Sequence, residues 1–276
     1  MTKLFLSDLD GTLIDEYGTM QAEDYEALRQ LEMHNIAFGM VTGRDYGFCR
    51  CLRERYDLPE CDIIANNGAS IWLGGRKIVE ESISAEDTIE IMEYLKDYVN
   101  ELNPFICDED HQFYFLKNYY EKERWEKASD LLSYLGPFSS YDLLDYLYEY
   151  KEPAVKLSIH TYSQAQTDKW LPRLRERFPD RYEILPTSHD YIEITKKGID
   201  KGKAVRMIMD QLHLTPKDIA VIGDGENDLS LFAEAPLSFA MNHANEKVKQ
   251  SAAHVVKSVA EAVAFVIKYS TKPSKK

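Results

Sequence analysis

Long apolar runs and an excess of basic residues are both missing from this 276-residue sequence, and each absence narrows the class of protein. The apolar runs are far shorter than the roughly 20 residues that span a bilayer. The formal net charge is −14, whereas nucleic acids and anionic membrane surfaces attract positively charged proteins. We therefore expect neither a nucleic acid nor a membrane as a partner.

Cysteine is scarce, and the four cysteines show no C-x-x-C spacing of the kind that marks zinc or redox motifs. A signal-peptide pattern is also missing, because the short apolar run after Lys3 breaks at Asp8. Internal repeats and low-complexity linkers are absent from the sequence as well. These features predict a cytoplasmic protein with reduced thiols.

Hydrophobic residues make up 44% of the chain, enough for a sizeable core. Near the start, apolar strands at 4–7, 36–41 and 62–65 alternate with a helix at about 21–35. A helix at about 201–212, a strand at 219–222, a weaker strand at 255–256 and a closing helix from 260 repeat this rhythm near the end. Continuous apolar strands that alternate with helices indicate a parallel sheet covered on both faces.

The middle of the chain has a different pattern. Ser84 precedes a helix with apolar residues at helical spacing, and a second helix is expected at about 121–135. The segment 155–160 alternates apolar and polar residues, which is typical of a half-exposed antiparallel strand. The simplest layout is a core domain of residues 1–82 and 192–276, with an α+β domain of residues 83–191 inserted into it.

Two aspartates follow the first strand. Alternate residues of an extended chain point to the same side, so Asp8 and Asp10 can converge at the carboxyl end of the strand, where open α/β sheets hold ligands. Two carboxylates that face one point are costly unless a cation, a positive side chain or a shared proton compensates them. Two further strands end in polar groups, namely Thr42 with Arg44, and Asp224 with Asn227 and Asp228.

All three polar groups should meet, because parallel strands share a carboxyl edge. Four carboxylates in one place favour a hard cation with oxygen ligands, such as Mg²⁺. Gly11 and Gly43 allow backbone N–H groups to approach an oxyanion. The sequence thus predicts a cation site beside an anion site.

Four ordered motifs resemble those of the haloacid dehalogenase-like (HAD) hydrolase superfamily. The insertion between the second and third motifs is similar to that of the Cof-type phosphatases with a type IIB cap. The resemblance covers nearly the whole chain and implies a Rossmann-like parallel-sheet core with an inserted α+β cap domain. The motifs are Asp8-Leu9-Asp10-Gly11-Thr12, Val41-Thr42-Gly43-Arg44, Gly198-Ile199-Asp200-Lys201-Gly202 and Gly223-Asp224-Gly225-Glu226-Asn227-Asp228, with Asn67-Gly68-Ala69 as a further similar stretch.

The resemblance implies a Mg²⁺-dependent hydrolase of small soluble phosphate monoesters, such as a sugar phosphate or a phosphorylated cofactor. Asp8 would be the nucleophile that forms an aspartyl-phosphate. Asp10 would be the general acid and then the general base, and for this its neighbours must help it to hold a proton. Mg²⁺ would be held by Asp8, the backbone carbonyl of Asp10 and Asp224, with Asp228 orienting bound water.

The transferring phosphoryl group would be bound by the motif residues that carry positive charge or N–H and O–H donors. For Arg44 two interpretations stay open, a substrate contact or a structural ion pair. The expected phosphoryl-binding residues are Gly11, Thr42, Gly43, Lys201 and Asn227.

The inserted region is rich in tyrosine and contains an acidic stretch at 108–111. The tyrosines can form a ring-stacking pocket or, more simply, pack and line the rim. The acidic stretch is better read as a solvated loop than as a metal site. His160 and His189 are within the same region, and the sequence assigns no role to either.

Three functions from different classes stay open at this stage. The leading one is a phosphatase, a monomer or a weak homodimer, that acts on a small-molecule phosphate. A phosphomutase would use the same chemistry to transfer the phosphoryl group to another hydroxyl. A regulatory phosphate-binding protein would keep the fold without turnover, although the second aspartate, Asp10, is useful mainly for protonating a leaving group.

Overall fold

The computed structural model describes residues 2–15, 17–107, 113–116 and 142–270. The chain divides into two compact units, one of Met1–Ile78 with Asp200–Lys276 and one of Val79–Ile199. The second boundary lies after residue 199 rather than after 191, because the strand Tyr191–Lys196 pairs with strands of the second unit on both sides.

The strands are numbered in chain order. Their bounds are β1 Leu4–Ser7, β2 Ala37–Val41, β3 Asp62–Ala65, β4 Ser70–Leu73, β5 Arg76–Glu80, β6 Asn103–Cys107, β7 Phe113–Phe115, β8 Leu157–His160, β9 Tyr182–Ser188, β10 Tyr191–Lys196, β11 Ile219–Gly223, β12 Leu237–Met241 and β13 His254–Val256.

The α-helices of the described residues are numbered in the same way. Their bounds are α1 Ala22–Met33, α2 Tyr46–Arg55, α3 Ala85–Leu95, α4 Leu143–Tyr150, α5 Gln164–Arg177, α6 Lys201–Gln211, α7 Leu229–Glu234, α8 Glu246–Ser251 and α9 Val259–Ser270.

An eight-stranded sheet of order β13-β12-β11-β1-β2-β3-β4-β5 forms the centre of the first unit. The strands from β13 to β3 pair in parallel, and β4 is antiparallel to β3. Every residue of β1 and β11 is buried, as expected for central strands covered on both faces. The predicted α/β class with a mostly parallel sheet is confirmed.

The register of the two central strands positions the functional residues. Leu4 lies beside Ile219 and Ser7 beside Ile222, so β1 and β11 reach the sheet edge together. Asp8 follows β1, and its backbone N–H donates to the carbonyl of Ile222 over 3.0 Å. The chain segments that follow these strands therefore begin side by side.

The second unit is built on an antiparallel sheet of order β7-β6-β8-β10-β9. Apolar residues of these strands and of α3, α4 and α5 form one buried cluster that includes Leu157, Ile159 and Trp170. The expectation that β8 is half exposed is wrong. Its polar residues Ser158 and His160 are 5% and 3% exposed, as buried as its apolar residues.

The sequence placed several other elements correctly. Ser84 caps α3, since its Oγ accepts from the N–H of Asp87 over 3.1 Å, and α1, α6 and α9 lie within a few residues of their expected bounds. The periodicity argument overlooked α2 and α5 among others. The helix expected at 121–135 and the acidic stretch at 108–111 lie outside the described residues.

Candidate active site

Three buried charged side chains, those of Asp8, Lys201 and Asp228, meet the partly exposed Asp224 at the carboxyl edge of the first unit's sheet. Lys201 Nζ donates to Asp8 Oδ1 over 2.7 Å and to Asp228 Oδ1 over 2.6 Å. The carboxylates of Asp8, Asp224 and Asp228 each offer an oxygen within 4.8 Å of the others. The side chains of Lys201 and Asp228 are fully buried, and that of Asp8 is 9% exposed.

The turn after β11 holds two of these carboxylates. Asp228 Oδ2 accepts from the backbone N–H groups of Asp224 and Gly225, over 3.0 and 2.9 Å. Asp224 Oδ1 accepts from the Thr12 hydroxyl over 3.0 Å, which connects this turn to the one after β1. Fixed donors of this kind hold the carboxylates in place without neutralising their charge.

Lys201 reaches the cluster because α6 begins at that residue. The helix is capped by Asp200, whose Oδ1 accepts from the N–H of Lys203 over 2.8 Å. Burial alone would lower the pKa of Lys201, but the neighbouring charges of Asp228 and Asp8 raise it above its ordinary value. The lysine is therefore a fixed positive charge within the cluster.

The carboxylates outnumber this one positive charge. Burial raises the pKa of Asp8 well above its ordinary value; Lys201 opposes this effect, and the charges of Asp228 and Asp224 add to it. Burial and the charge of Asp228 also raise the pKa of Asp224. Three carboxylates beside one ammonium thus leave uncompensated negative charge in a buried place.

The oxygens of this cluster fit a divalent hard cation such as Mg²⁺, which prefers carboxylate ligands and neutralises excess negative charge. The backbone at Gly11 also passes close to Asp224, one of the candidate ligands. Gly11 has a φ of +77°, and a Cβ atom there would lie 2.5 Å from Asp224 Oδ2. Only glycine is accommodated at this position without displacing a candidate ligand.

Asp10 lies at the rim of the cluster, and its carboxylate pairs with Arg44. Arg44 Nε donates to Asp10 Oδ2 over 2.8 Å, and Nη2 donates to Oδ1 over 2.7 Å. The two side chains are 45% and 44% exposed, and the guanidinium carbon lies 4.7 Å from the ring centroid of Phe48. The structure shows Arg44 in an ion pair with Asp10, which is one of the two interpretations of this residue.

Three other predicted phosphoryl-binding residues lie on the turns after β2 and β11, on either side of β1. Thr42 is fully buried, and its Oγ1 accepts from the N–H of Arg44 over 3.0 Å. Gly43, between them, is half buried. Asn227, on the turn after β11, donates from Nδ2 to Asn67 Oδ1 over 3.1 Å. Apart from Lys201, which begins α6, the residues predicted for the site follow β1, β2 and β11 at the carboxyl edge of the sheet.

Three further side chains at this edge were assigned no role from the sequence. Thr12 binds Asp224, Asn67 binds Asn227, and His243 Nε2 lies 3.5 Å from Asp224 Oδ2. Thr12 and Asn67 stand inside quoted motifs, so their positions were visible in the sequence. His243 follows β12 with no motif of its own, and only the fold brings it to Asp224.

His160 and His189, the histidines of the second unit that lie within the described residues, contact residues of that unit. His160 Nε2 lies 3.2 Å from Asp190 Oδ2, and the His160 ring stacks on Tyr191 with centroids 4.8 Å apart. The side chain of His189 is 74% exposed.

None of the helices in the described ranges combines the length and the apolar composition of a membrane-spanning segment.

A family model of haloacid dehalogenase-like hydrolases matches residues 5–267. The phosphatase YcsE of Bacillus subtilis, which acts on 5-amino-6-(5-phospho-D-ribitylamino)uracil, is 24% identical over 97% of this chain and 95% of its own length. The chain therefore belongs to the haloacid dehalogenase-like hydrolases, as a Cof-type member with the activity class of a phosphatase.

Solved structures agree with this assignment. TM0651 from Thermotoga maritima is 27% identical, superposes with a TM-score of 0.78, and is matched over 99% of both chains. The HAD subclass IIB sugar phosphatase BT4131 is 20% identical and superposes with a TM-score of 0.77 over 97% of this chain and 98% of its own, which establishes the shared fold.

Proposed function

We propose that the protein is a Mg²⁺-dependent phosphomonoester hydrolase that acts on small soluble phosphates through an aspartyl-phosphate on Asp8. The observation that carries the proposal is the cluster of Asp8, Asp224 and Asp228 around the buried Lys201. It combines a carboxylate nucleophile, a fixed cation and excess negative charge at one point. Phosphoryl transfer depends mainly on such positioning and charge compensation.

Asp8, Asp224 and the backbone carbonyl of Asp10 would hold the Mg²⁺ ion, and Asp228 would orient water bound to it. When bound, the ion supplies positive charge that offsets the carboxylates and the phosphoryl oxygens. Lys201 supplies a second positive charge from within the protein. Its ammonium lies 2.7 Å from Asp8 Oδ1, which holds the nucleophile in a single position.

In the first step, Asp8 forms a bond to phosphorus, and the bond between phosphorus and the leaving oxygen breaks. Asp10 donates the proton that the leaving alkoxide takes. In the second step, water attacks phosphorus, Asp10 accepts a proton of that water, and the bond between phosphorus and Asp8 breaks, which releases inorganic phosphate and restores the free carboxylate. Lys201 and Thr42 bind the phosphoryl oxygens, with Asn227 nearby.

The pairing of Asp10 with Arg44 adds a requirement to this mechanism. Both carboxylate oxygens accept from the guanidinium group, an arrangement that stabilises the ionised form, which accepts a proton. For the first step Asp10 has to carry a proton and face the leaving group. We therefore propose that the pair opens when substrate binds, and that Arg44 then holds Asp10 for the second step.

The relatives support a proposal for the substrate class. The relatives YcsE and YwtE of Bacillus subtilis are phosphatases for 5-amino-6-(5-phospho-D-ribitylamino)uracil, and a structural relative is a sugar phosphatase. Both substrates place a phosphate on a hydroxylated carbon chain. We propose a phosphorylated polyol or sugar as the substrate of this protein, which remains in the cytoplasm as a monomer or weak homodimer.

The test is phosphate release with Mg²⁺ over a panel of sugar phosphates, polyol phosphates, flavin mononucleotide and pyridoxal phosphate. Acid-quenched protein should carry labelled phosphate in the Asp10→Asn variant, where proton transfer is impaired, and none in Asp8→Asn. Asp8 would be excluded as the nucleophile if the Asp8→Asn variant carried as much labelled phosphate as a labelled Asp10→Asn variant. Transfer of label to a second hydroxyl of a hexose phosphate would identify a mutase, and binding without turnover would identify a regulatory protein.

A further inference from the structure

The turn after β3, residues 66–68, has a backbone conformation that side chains disfavour. The φ angles are 52° at Asn66, 55° at Asn67 and 102° at Gly68. Asparagine tolerates this left-handed region better than other residues with a Cβ atom. A run of three such residues persists only where the surroundings hold it, and backbone strain of this kind concentrates at functional sites.

Backbone hydrogen bonds connect this turn to the turn after β2. The N–H of Asn66 donates to the carbonyl of Arg44, and the N–H of Asn67 donates to the carbonyl of Thr42, both over 2.9 Å. The left-handed conformation thus directs successive N–H groups to the segment that carries Thr42 and Arg44. The turn after β3 therefore holds that segment through two backbone hydrogen bonds.

The side chain of Asn67 extends the connection to the turn after β11. Asn67 is 2% exposed, and its Oδ1 accepts from Asn227 Nδ2 over 3.1 Å. The next residue, Gly68, lies against the start of α6, since a Cβ atom there would be 2.6 Å from the carbonyl oxygen of Asp200. One residue therefore contacts two of the phosphoryl-binding turns, and its neighbour contacts the helix that carries Lys201.

We infer that Asn67 is a positioning residue that holds Asn227 and Thr42 in the orientation needed to bind the phosphoryl group, an inference that rests on the proposed phosphatase function. An amide has two N–H donors. The bond to Asn67 occupies one donor of Asn227 and fixes the amide plane, which sets the direction of the other. Without this bond, Asn227 would rotate among several orientations, and only one of them would serve the phosphoryl oxygens.

The test compares two glycine variants that share a backbone conformation. Asn67→Gly removes the amide and keeps the left-handed turn. Asn66→Gly is the matched control, because the Asn66 amide donates to Ser70 Oγ over 3.1 Å, away from Asn227. Turnover of an aryl phosphate with Mg²⁺ and inhibition by inorganic phosphate are measured for both, together with urea unfolding.

Asn67→Gly should raise both the KM and the inhibition constant of inorganic phosphate about tenfold, the effect of losing one buried hydrogen bond. Asn66→Gly should leave both constants within about twofold. The double variant Asn67→Gly/Asn227→Ala should bind phosphate no worse than Asn227→Ala alone, because both changes remove the same interaction. A purely structural role would instead lower stability and leave the inhibition constant unchanged.

If Asn67→Gly does not fold, Asn67→Ser removes the same bond with a smaller change. The inference is overturned if the wild-type protein turns over and the Asn67 variant keeps the wild-type inhibition constant, or if the two changes are additive in the double variant. If the wild-type protein releases no phosphate from any member of the panel, the proposed function and this inference both fail.

Discussion

Both units bury carboxylates, but they compensate them differently. In the second unit, Glu193 has its own cation, with Lys156 Nζ 2.5 Å from its Oε1, and Asp190 Oδ2 lies 3.2 Å from His160 Nε2. In the first unit, Asp8 and Asp228 share Lys201, and Asp224 lies within 4.8 Å of both, with His243 Nε2 3.5 Å from its Oδ2. Both Glu193 and Asp190 are 8% exposed, similar to Asp8 at 6%, so burial alone does not distinguish the two regions.

This difference separates a structural polar group from a candidate active site. A buried ion pair with one partner for each charge maintains a fold, whereas an unbalanced cluster is stable only when something else supplies charge. Burial raises the pKa of Asp8 and of Asp224, and the charge of the neighbouring Asp228 raises both further. The excess of charge, more than the number of acidic residues, makes the first unit the candidate place of chemistry.

The strongest test of this comparison is the substitution Asp8→Asn, which removes one charge from the unbalanced cluster. We expect phosphate release to fall about a thousandfold or more, because the nucleophile is lost. The same variant should be at least as stable as the wild type in EDTA, since it has one negative charge fewer in the cluster. Turnover and melting temperature are measured side by side. A variant that loses activity and also unfolds would contradict the comparison.

The balanced pair should respond in the opposite way. Glu193→Gln removes the negative charge that lies 2.5 Å from the ammonium of Lys156, whose side chain is 16% exposed. We expect a loss of about 3 kcal/mol in the free energy of unfolding, measured in urea. The double variant Lys156→Met/Glu193→Leu should recover most of this loss, because an apolar pair replaces both charges. A change below about 0.5 kcal/mol in the single variant would show that the pair is not structural.

The pH dependence of stability should also distinguish the cluster. Burial raises the pKa of Asp8 above its ordinary value of 3.8, so the folded protein in EDTA binds protons more tightly than the unfolded chain. The ionised carboxylate therefore destabilises the fold at neutral pH, and this penalty disappears as the pH falls through the raised pKa toward 3.8.

The measurable consequence is a difference between the wild type and Asp8→Asn that depends on pH. In EDTA, the variant should melt at a higher temperature at about pH 7.5, and the two curves should converge toward about pH 4, where Asp8 is protonated. Added Mg²⁺ should stabilise the wild type at neutral pH, since a ligand that binds only the folded state shifts the equilibrium. A constant difference at all pH values would be inconsistent with a raised pKa.

The smallest effects are expected at surface ion pairs, which are alike in the two units. Lys247 pairs with Glu226 in the first unit over 2.7 Å, and Lys197 pairs with Glu183 in the second over 3.7 Å. The lysines are 61% and 49% exposed. Lys247→Ala and Lys197→Ala should each change the free energy of unfolding by less than about 0.5 kcal/mol and leave turnover unchanged. A larger change in either variant would mean that the exposure of a lysine does not predict how much its ion pair contributes to stability.

Much of the first unit could be predicted because its elements carry local signals. The strand before Asp8 is continuously apolar, and the strand before Asp224 is too, so both read as central strands of a parallel sheet. The geometry of such a sheet then brings their following residues to one edge. The assignment of Asp8, Asp224, Asp228 and Lys201 to one cluster required only this rule and the motifs.

The second unit was less predictable, since its polar residues are paired across strands. Ser158 and His160 alternate with apolar residues, which indicates an exposed face. In the structure Ser158 lies opposite Glu193 and His160 opposite Tyr191. Partners so distant in the sequence leave no local signal, so both the burial and the pairing of these residues escaped prediction.

The sequence by itself determined which residues can do the chemistry, because carboxylates, a lysine and strand-ending turns are written in its motifs. Only the tertiary structure decided how their charges are compensated: Lys201 bridges Asp8 and Asp228, and Arg44 holds Asp10. Hydrogen bonds and ion pairs form between side chains far apart in the chain, at distances that depend on the register of strands and the start of helices. A linear pattern specifies the groups, and the packed sheet edge specifies which of them meet.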